Sequence, residues 1–188
     1  AIRGHAKLDR FESTSSNVDS PDCLWACHSG CLREVGAVVL PGVGAFGDGM
    51  KNLRKYGFDD ALNIHVREKG KPFLGICMGL QVLLSHSEEN DGIDCMDLYS
   101  GNVRFFAKKI NQQETSLKIP HMGWNNVHQT QSHVLWEGIE PDSRFYFVHS
   151  YYVDPEDKSL VAGETDYGFK FTSVIARDNV FAVQFHPE

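Results

Sequence analysis

The sequence predicts an α/β fold with a mostly parallel open sheet, helices on both faces and an antiparallel flank. Two apolar runs, 37–40 and 73–76, each end in a glycine-containing turn and lead into a helical pattern. That alternation is typical of βαβ units and therefore of a parallel sheet. After Asn90 the pattern changes to shorter β-like runs, which predict the flank. The 188 residues, 41% of them apolar, suit one domain with a substantial core.

The elements follow in chain order from residue 36. We predict a strand at 37–40, a helical region at 49–69 broken near Gly57, a buried strand at 73–76 and a helix at 78–87. The later β-like runs predict further strands at 99–106, 144–148, 172–176 and 180–185.

Residues 1–33 form an atypical N-terminal segment, and we assign the domain proper to 34–188. Ser20 and Pro21 have the residue types of a helix N-cap and first helical position. In such a helix one face would carry an apolar stripe, made of Leu24, Cys27, Cys31, Leu32 and Val35. A metal site is the alternative, built from Cys23, Cys27, His28 and Cys31. Because this spacing lacks the Cys-x2-Cys pairs of structural zinc, we predict no metal and no cofactor.

The most informative segment is Gly75-Ile76-Cys77-Met78-Gly79, at the end of the second predicted strand. It is the cysteine counterpart of a nucleophile elbow, in which a strained residue joins a strand to a helix. Glycines two residues before and two after the nucleophile allow strand and helix to approach closely. The positive end of the helix dipole then favours the thiolate. An isolated cysteine between glycines is more often a small buried residue.

The second informative segment is the last one, His186-Pro187-Glu188 after an apolar strand. In an extended stretch, residues i and i+2 project to the same side, and Pro187 keeps the segment extended. An imidazole with a carboxylate behind it is the base and orienting group that a cysteine nucleophile requires. Alone, the same tripeptide would be read as a surface turn.

Together these segments resemble the class I, triad-type glutamine amidotransferases, which have a flavodoxin-like fold. The resemblance runs from about residue 34 to Glu188. Its narrower motifs are similar to those of the glutaminase subunits of imidazole glycerol phosphate synthases. The segments that carry it are Pro41-Gly42-Val43-Gly44-Ala45-Phe46, Pro120-His121-Met122-Gly123-Trp124-Asn125 and Phe147-Val148-His149-Ser150-Tyr151.

The resemblance implies a role for each of these segments. Cys77 would attack the glutamine amide, His186 would move protons, and Glu188 would hold the imidazole. The oxyanion hole would comprise Gly42, Val43 and Met78, and the glutamine pocket Gly44, Gln81, Ser150 and Tyr151. Met122, Trp124 and Asn125 would face a cyclase subunit, which uses the ammonia in histidine biosynthesis. Without the resemblance, Gln81 could be a solvated helix residue and Trp124 a core residue.

The chain departs from the family pattern at both ends. The family's apolar first strand and its glycine-rich turn are not recognisable in residues 1–33, and Glu188 is the last residue. We therefore consider a partial or decayed copy that is no longer catalytic. A second alternative is a related amidotransferase that supplies ammonia to a different synthase.

Composition excludes other classes of function. A net charge of −7 argues against nucleic acid or an anionic membrane surface as a partner. The sequence has no apolar run of membrane-spanning length and no signal-peptide pattern. Five cysteines without a regular framework suggest reduced thiols, so we expect a cytoplasmic protein. The heterodimer with a cyclase subunit is implied by the resemblance alone.

Overall fold

The computed structural model describes residues 29–33, 35–110 and 117–187, without the side chains of Cys31 and Arg33. Its strands are β1 Val38–Gly42, β2 Phe73–Cys77, β3 His86–Ser87, β4 Ile93–Asp94, β5 Gly101–Phe105, β6 His121–Asn126, β7 His128–Gln129, β8 Arg144–His149, β9 Tyr151–Pro155, β10 Val161–Asp166, β11 Lys170–Arg177 and β12 Val180–Val183. Its α-helices are α1 Phe46–Lys55, α2 Phe58–Asn63, α3 Met78–Gln81 and α4 Ala107–Ile110. A π-helical turn spans Ile64–Glu68, and 3-10 turns span Ser29–Arg33, Glu89–Asp91, Val134–Trp136 and Lys158–Leu160.

One open mixed sheet carries the fold, in the order β1-β2-β12-β11-β9-β5-β3-β4. β1, β2 and β12 are parallel to one another, and β3 is parallel to β5. The remaining pairs in this sheet are antiparallel, including β10 with β11 and with β7. The α/β class and the antiparallel flank are therefore confirmed, and the flank is larger than the sequence predicts. β6 and β8 form a separate two-stranded antiparallel sheet.

The two faces of the sheet are buried in different ways. Side chains alternate along β12: Val180 and Ala182 belong to one apolar cluster, Phe181 and Val183 to the other. The first cluster is covered by α2, the π-helical turn and α3. The second is rich in aromatic rings, and the described residues cover it with the single turn of α4, Trp136 of the 134–136 turn and part of the β6–β8 sheet.

The predicted helical region at 49–69 is confirmed, and it begins earlier, at Phe46. Gly57 divides it as expected, because its φ of 66° is left-handed and ends the α1 helix before α2 begins. None of these helices is long and apolar enough to cross a membrane, and the same holds for every helix in the described part of the chain.

The helix predicted at 78–87 was wrong in length, since α3 ends at Gln81. The carbonyl groups of residues 82–85 accept hydrogen bonds from backbone N–H groups in the following loop, Met96, Tyr99, Asp97 and Cys95 respectively. Those carbonyls are therefore unavailable to a continuing helix. The chain turns, and 86–87 become β3.

The strands predicted in the second half are confirmed: 99–106 and 180–185 are shorter than predicted, and 144–148 and 172–176 are longer. Three longer strands were not predicted: β6, β9 and β10. Their sequences mix apolar residues with glycine, asparagine and acidic residues, which local propensity places in turns. Pairing with β8, β5 and β11 makes them strands.

Candidate active site

Cys77 lies at the junction of β2 and α3 with φ 54° and ψ −107°. A non-glycine residue rarely adopts positive φ, and such strain is concentrated at functional sites. The flanking glycines permit the close approach that the sequence predicts. A Cβ on Gly79 would overlap the carbonyl oxygen of Leu40, and one on Gly75 would lie 2.5 Å from the carbonyl oxygen of Gly79.

The glycine loop predicted to form the oxyanion hole lies beside the nucleophile. Gly42 is the β1 partner of Cys77 in the parallel ladder. Met78 packs directly against it, since a Cβ on Gly42 would lie 2.6 Å from the Met78 Cε atom. Val43 and Gly44 follow at the surface, and Gly44 has a φ of 106°. The structure thus places Gly42, Val43, Gly44 and Met78 together where β1 and β2 end.

The predicted activation of Cys77 by a helix dipole is limited, because α3 is a single turn and sums few peptide dipoles. A different group contacts the sulfur. Gln184 Nε2 donates a hydrogen bond to Cys77 Sγ over 3.6 Å, from a side chain with no exposed surface. Sequence reasoning missed this residue because it was counted as part of the apolar strand 180–185.

His186 reaches the same edge of the sheet through the parallel pairing of β12 with β2, in which Val183 lies opposite Ile76. Its backbone N–H donates to the Tyr146 carbonyl over 2.9 Å, which fixes the segment against β8. The side chain is half-buried. Glu188, the predicted orienting carboxylate, lies outside the described residues.

Gln81 is buried, with 6% of its surface exposed. Its Nε2 donates to Gln184 Oε1 over 3.0 Å and to the Tyr151 carbonyl over 3.4 Å. Ser150 connects β8 to β9, which begins at Tyr151, and the Ser150 carbonyl accepts from the Phe106 N–H. The predicted pocket residues Gln81 and Tyr151 are therefore in contact, and Gln81 lies one helical turn after Cys77.

Glu89 is a further acidic group in this region that the sequence did not single out. Its Oε1 accepts a hydrogen bond from the Phe46 N–H over 3.2 Å, at the end of the glycine loop. Burial raises the pKa of the Tyr151 phenol, and the carboxylates of Glu89 and Glu88 raise it further. Glu89 is thus fixed at the end of the glycine loop. No sequence pattern distinguishes it from its neighbour Glu88.

Two buried histidines connect this pocket with the β6–β8 sheet. His149 Nδ1 lies 2.7 Å from the Tyr151 carbonyl, so this nitrogen must carry a proton and donate it. His149 Nε2 is then an acceptor, and His121 Nδ1 donates to it over 3.0 Å. His121 Nε2 accepts in turn from Asn125 Nδ2 over 3.2 Å. Both rings are therefore neutral and fixed in one tautomer.

Acidification should destabilise the protein through these histidines. Burial lowers the pKa of His149 to about 3 and that of His121 to about 4, against about 6.5 in the unfolded chain. Nearby His121 and His186 lower that of His149 further. Below pH 6.5 both histidines become protonated in the unfolded chain but stay neutral in the native protein. The free energy of unfolding should fall by up to about 1.4 kcal/mol per pH unit for each histidine, until the folded pKa values are reached.

Urea unfolding at pH 7, 6 and 5 measures this effect, with His149→Gln as the test variant. The matched control is His128→Gln, because His128 is exposed and its ring contacts Asp142 at the surface. We expect a shallower pH dependence in the His149 variant and an unchanged one in the control. Equal slopes for all three proteins would contradict the assignment.

The residues predicted to face a partner do not share one environment. Met122 and Trp124 are 60% and 61% exposed, and together with Tyr146 and Val148 across the ladder they form what we call the β6–β8 surface. Trp124 packs edge-on against Tyr146. Asn125 points away from this surface, since its Nδ2 donates to the Asp166 carbonyl as well as to His121.

A metal site finds no support in the part of the chain that the structure describes, where no group of three or more His, Cys, Asp or Glu side chains could hold an ion. Cys23, Cys27 and His28 lie outside the described residues, as do the side chain of Cys31 and the N-cap residues Ser20 and Pro21.

Comparison with known proteins agrees with this geometry. A family model described as glutamine amidotransferase class-I matches residues 25–188. The imidazole glycerol phosphate synthase subunit HisH of Hydrogenovibrio crunogenus is 52% identical over 157 residues, 84% of this chain and 71% of that protein. The protein of the same description from Pseudomonas putida is 46% identical over 187 residues, 98% of this chain and 86% of that protein.

Solved structures support the fold independently of close sequence similarity. A crystal structure of a glutamine amidotransferase superimposes with a TM-score of 0.61 at 17% identity, over 85% of this chain and 75% of that one. A glutamine amidotransferase from Thermotoga maritima gives a TM-score of 0.55 at 20% identity, over 82% and 57% of the two chains. At these identities the similarity establishes the fold alone.

Proposed function

Because this chain belongs to the class I glutamine amidotransferase family, we propose that it is the glutaminase subunit of an imidazole glycerol phosphate synthase, acting in histidine biosynthesis. One observation carries the enzymatic part: Cys77 occupies a strained elbow at the edge of the sheet where parallel β12 also brings His186. The pathway assignment is supported by the names of relatives that are 46–52% identical.

In the proposed reaction the Cys77 thiolate attacks the side-chain amide carbon of glutamine. The carbonyl π electrons move to oxygen, and the tetrahedral intermediate collapses by expelling ammonia as His186 protonates the nitrogen. His186 then takes a proton from water, which attacks the glutamyl thioester and releases glutamate and the thiol. Glu188 is proposed to orient the imidazole.

The negative charge on the carbonyl oxygen requires N–H donors. The positions of Gly42, Val43 and Met78 support their proposed role, because Gly42 lies opposite Cys77 and Met78 directly follows it. Removing one such donor commonly costs about 100- to 1,000-fold in rate. The exposed, positive-φ Gly44 gives this loop backbone conformations that a side chain would oppose.

The α-amino and α-carboxylate groups of glutamine need partners of their own. We assign the surrounding positions to the glutamine pocket: Gly44, Gln81, Ser150 and Tyr151. Glu89 is a carboxylate fixed at the end of the glycine loop, and its negative charge suits it to the α-ammonium group.

Ammonia in neutral water is mostly ammonium, which is not a nucleophile, so a glutaminase of this type requires an acceptor protein. We propose the cyclase subunit as that partner, in a cytoplasmic heterodimer, with the β6–β8 surface as the contact. An exposed tryptophan beside methionine has the character of an interface anchor. The inward position of Asn125 makes it a supporting residue rather than a contact.

Trp124→Ala should weaken binding of the cyclase subunit by roughly 30-fold or more, since buried tryptophans are typical interface hot spots. The matched control is Val134→Ala, which removes an apolar side chain that is 72% exposed on the separate 134–136 turn. Titration calorimetry with purified cyclase subunit gives both affinities. Equal affinities for the two variants would remove the β6–β8 surface from the interface.

The function itself is tested by glutamate release from glutamine, measured for this chain alone and mixed with a cyclase subunit carrying its nucleotide ligand. We expect release in the mixture. Stimulation only by a different synthase would assign the chain to a related pathway. No release under any of these conditions would contradict the proposed function and favour a non-catalytic copy.

A further inference from the structure

Gln184 is a completely buried polar side chain that the reaction described above does not use. It is the first residue after β12, two positions before His186, and its backbone N–H donates to the Ser173 carbonyl over 2.8 Å. Backbone bonding therefore holds it in place at the edge of the sheet. Its two amide atoms contact Gln81 and Cys77.

The orientation of the Gln184 amide follows from its neighbours. The Tyr151 carbonyl can only accept, so the Gln81 atom that faces it must be the donor Nε2. The same Nε2 lies 3.0 Å from Gln184, and the facing Gln184 atom must therefore be the acceptor Oε1. The other end of the Gln184 amide, which faces Cys77 Sγ at 3.6 Å, is consequently Nε2–H.

We propose that Gln184 is a catalytic residue whose Nε2–H donates a hydrogen bond to the Cys77 sulfur and holds the thiolate in position for attack on glutamine. The inference rests on the proposed function, because it assigns a group to that reaction. A thiolate accepts a stronger hydrogen bond than a thiol does. The bond therefore favours the reactive form of Cys77 and limits the rotation of its side chain.

This contact compensates for the shortness of α3. A single helical turn supplies a small dipole, so a fixed amide dipole in a buried site is the stronger source of positive potential at the sulfur. Gln81 orients Gln184, and its link to Tyr151 connects the thiolate with the glutamine pocket.

The test compares the wild type with Gln184→Met and Gln184→Glu. Methionine keeps the volume and removes the donor. Glutamate keeps the shape and an acceptor for Gln81, and it places a carboxylate against the sulfur. The matched control is Gln129→Met, at a half-buried glutamine whose amide bonds the Ile139 carbonyl away from the site.

The first readout is alkylation of Cys77 by iodoacetamide against pH, followed by mass spectrometry of the Cys77 peptide. Buried Cys95 should not compete, because burial raises its pKa to about 12. Loss of a hydrogen bond to a charged group should shift the pH of half-maximal alkylation upward by about one unit or more in Gln184→Met, and further in Gln184→Glu. The control should titrate as the wild type does.

The second readout is kcat and KM for glutamine hydrolysis in the complex with the cyclase subunit. We expect kcat to fall roughly 10- to 100-fold in Gln184→Met, with a smaller change in KM. A wild-type titration curve in both Gln184 variants would overturn the proposal. If Gln184→Met does not fold, Gln184→Glu decides the question by the same criterion.

The two readouts separate this inference from the proposed function. Alkylation needs neither glutamine nor the partner, so it reports on Gln184 even if no glutamate is released. A wild-type chain without glutaminase activity, but with the expected shift in the Gln184 variants, would reject the proposed function and retain the contact of Gln184 with the thiolate.

Discussion

Replacing Cys77 with alanine should reduce glutamine hydrolysis by at least about four orders of magnitude, because the reaction then has no nucleophile to form the thioester. The measurement is glutamate release in the complex with the cyclase subunit. The fold should be retained, since the thiol contributes one buried atom to the core and alanine adopts the same backbone conformation at similar cost.

Thermal unfolding and cyclase binding serve as controls for Cys77→Ala and should match those of the wild type. Cys77→Ser is the second control, because it keeps the shape of the side chain but provides a much weaker nucleophile. Turnover by the alanine variant within tenfold of wild type would show that the nucleophile is misassigned.

Gly79→Ala should have the largest effect on stability, with a loss of at least about 3 kcal/mol in the free energy of unfolding. The new Cβ would overlap the Leu40 carbonyl oxygen. Because that obstacle is backbone, it cannot rotate away as a side chain would. Either α3 must move from β1 or the β1–β2 pairing must open, and both changes displace Cys77.

Chemical denaturation measures the loss, and Gly36→Ala is the matched control. Gly36 is exposed just before β1, with no atom within 4 Å of the added Cβ and no positive φ. We expect the control to lie within about 0.5 kcal/mol of the wild type. A Gly79 variant as stable as this control would show that α3 does not pack closely on β1.

The elbow and the general fold could be predicted because their determinants are local. Gly75, Cys77 and Gly79 specify a close approach at fixed sequence spacing, and the apolar runs before and after them specify the parallel strands. Gly57 likewise marks the helix break by its own backbone conformation. Such features depend on residues within a few positions of one another, so the sequence contains them directly.

The end of α3 and strands β6, β9 and β10 could not be predicted because partners distant in sequence decide them. The carbonyls at 82–85 bond the 95–99 loop rather than a next helical turn. β9 is a strand because it pairs with β5, which lies about fifty residues earlier in the chain. Local propensity is weaker than these tertiary hydrogen bonds. A prediction from sequence patterns therefore makes α3 too long and omits β6, β9 and β10.

By itself, the sequence determined the α/β class and the elbow that carries Cys77, and it predicted His186 as the partner of that residue. Only the tertiary structure decided which polar groups lie around that elbow: the buried Gln184 at the sulfur, the half-buried Glu89 at the glycine loop, and the buried His121–His149 pair behind Tyr151. The physical reason is that a buried polar side chain must find hydrogen-bond partners, and these come from whichever strands the sheet places side by side. The spacing of residues along the chain does not show which strands will lie side by side.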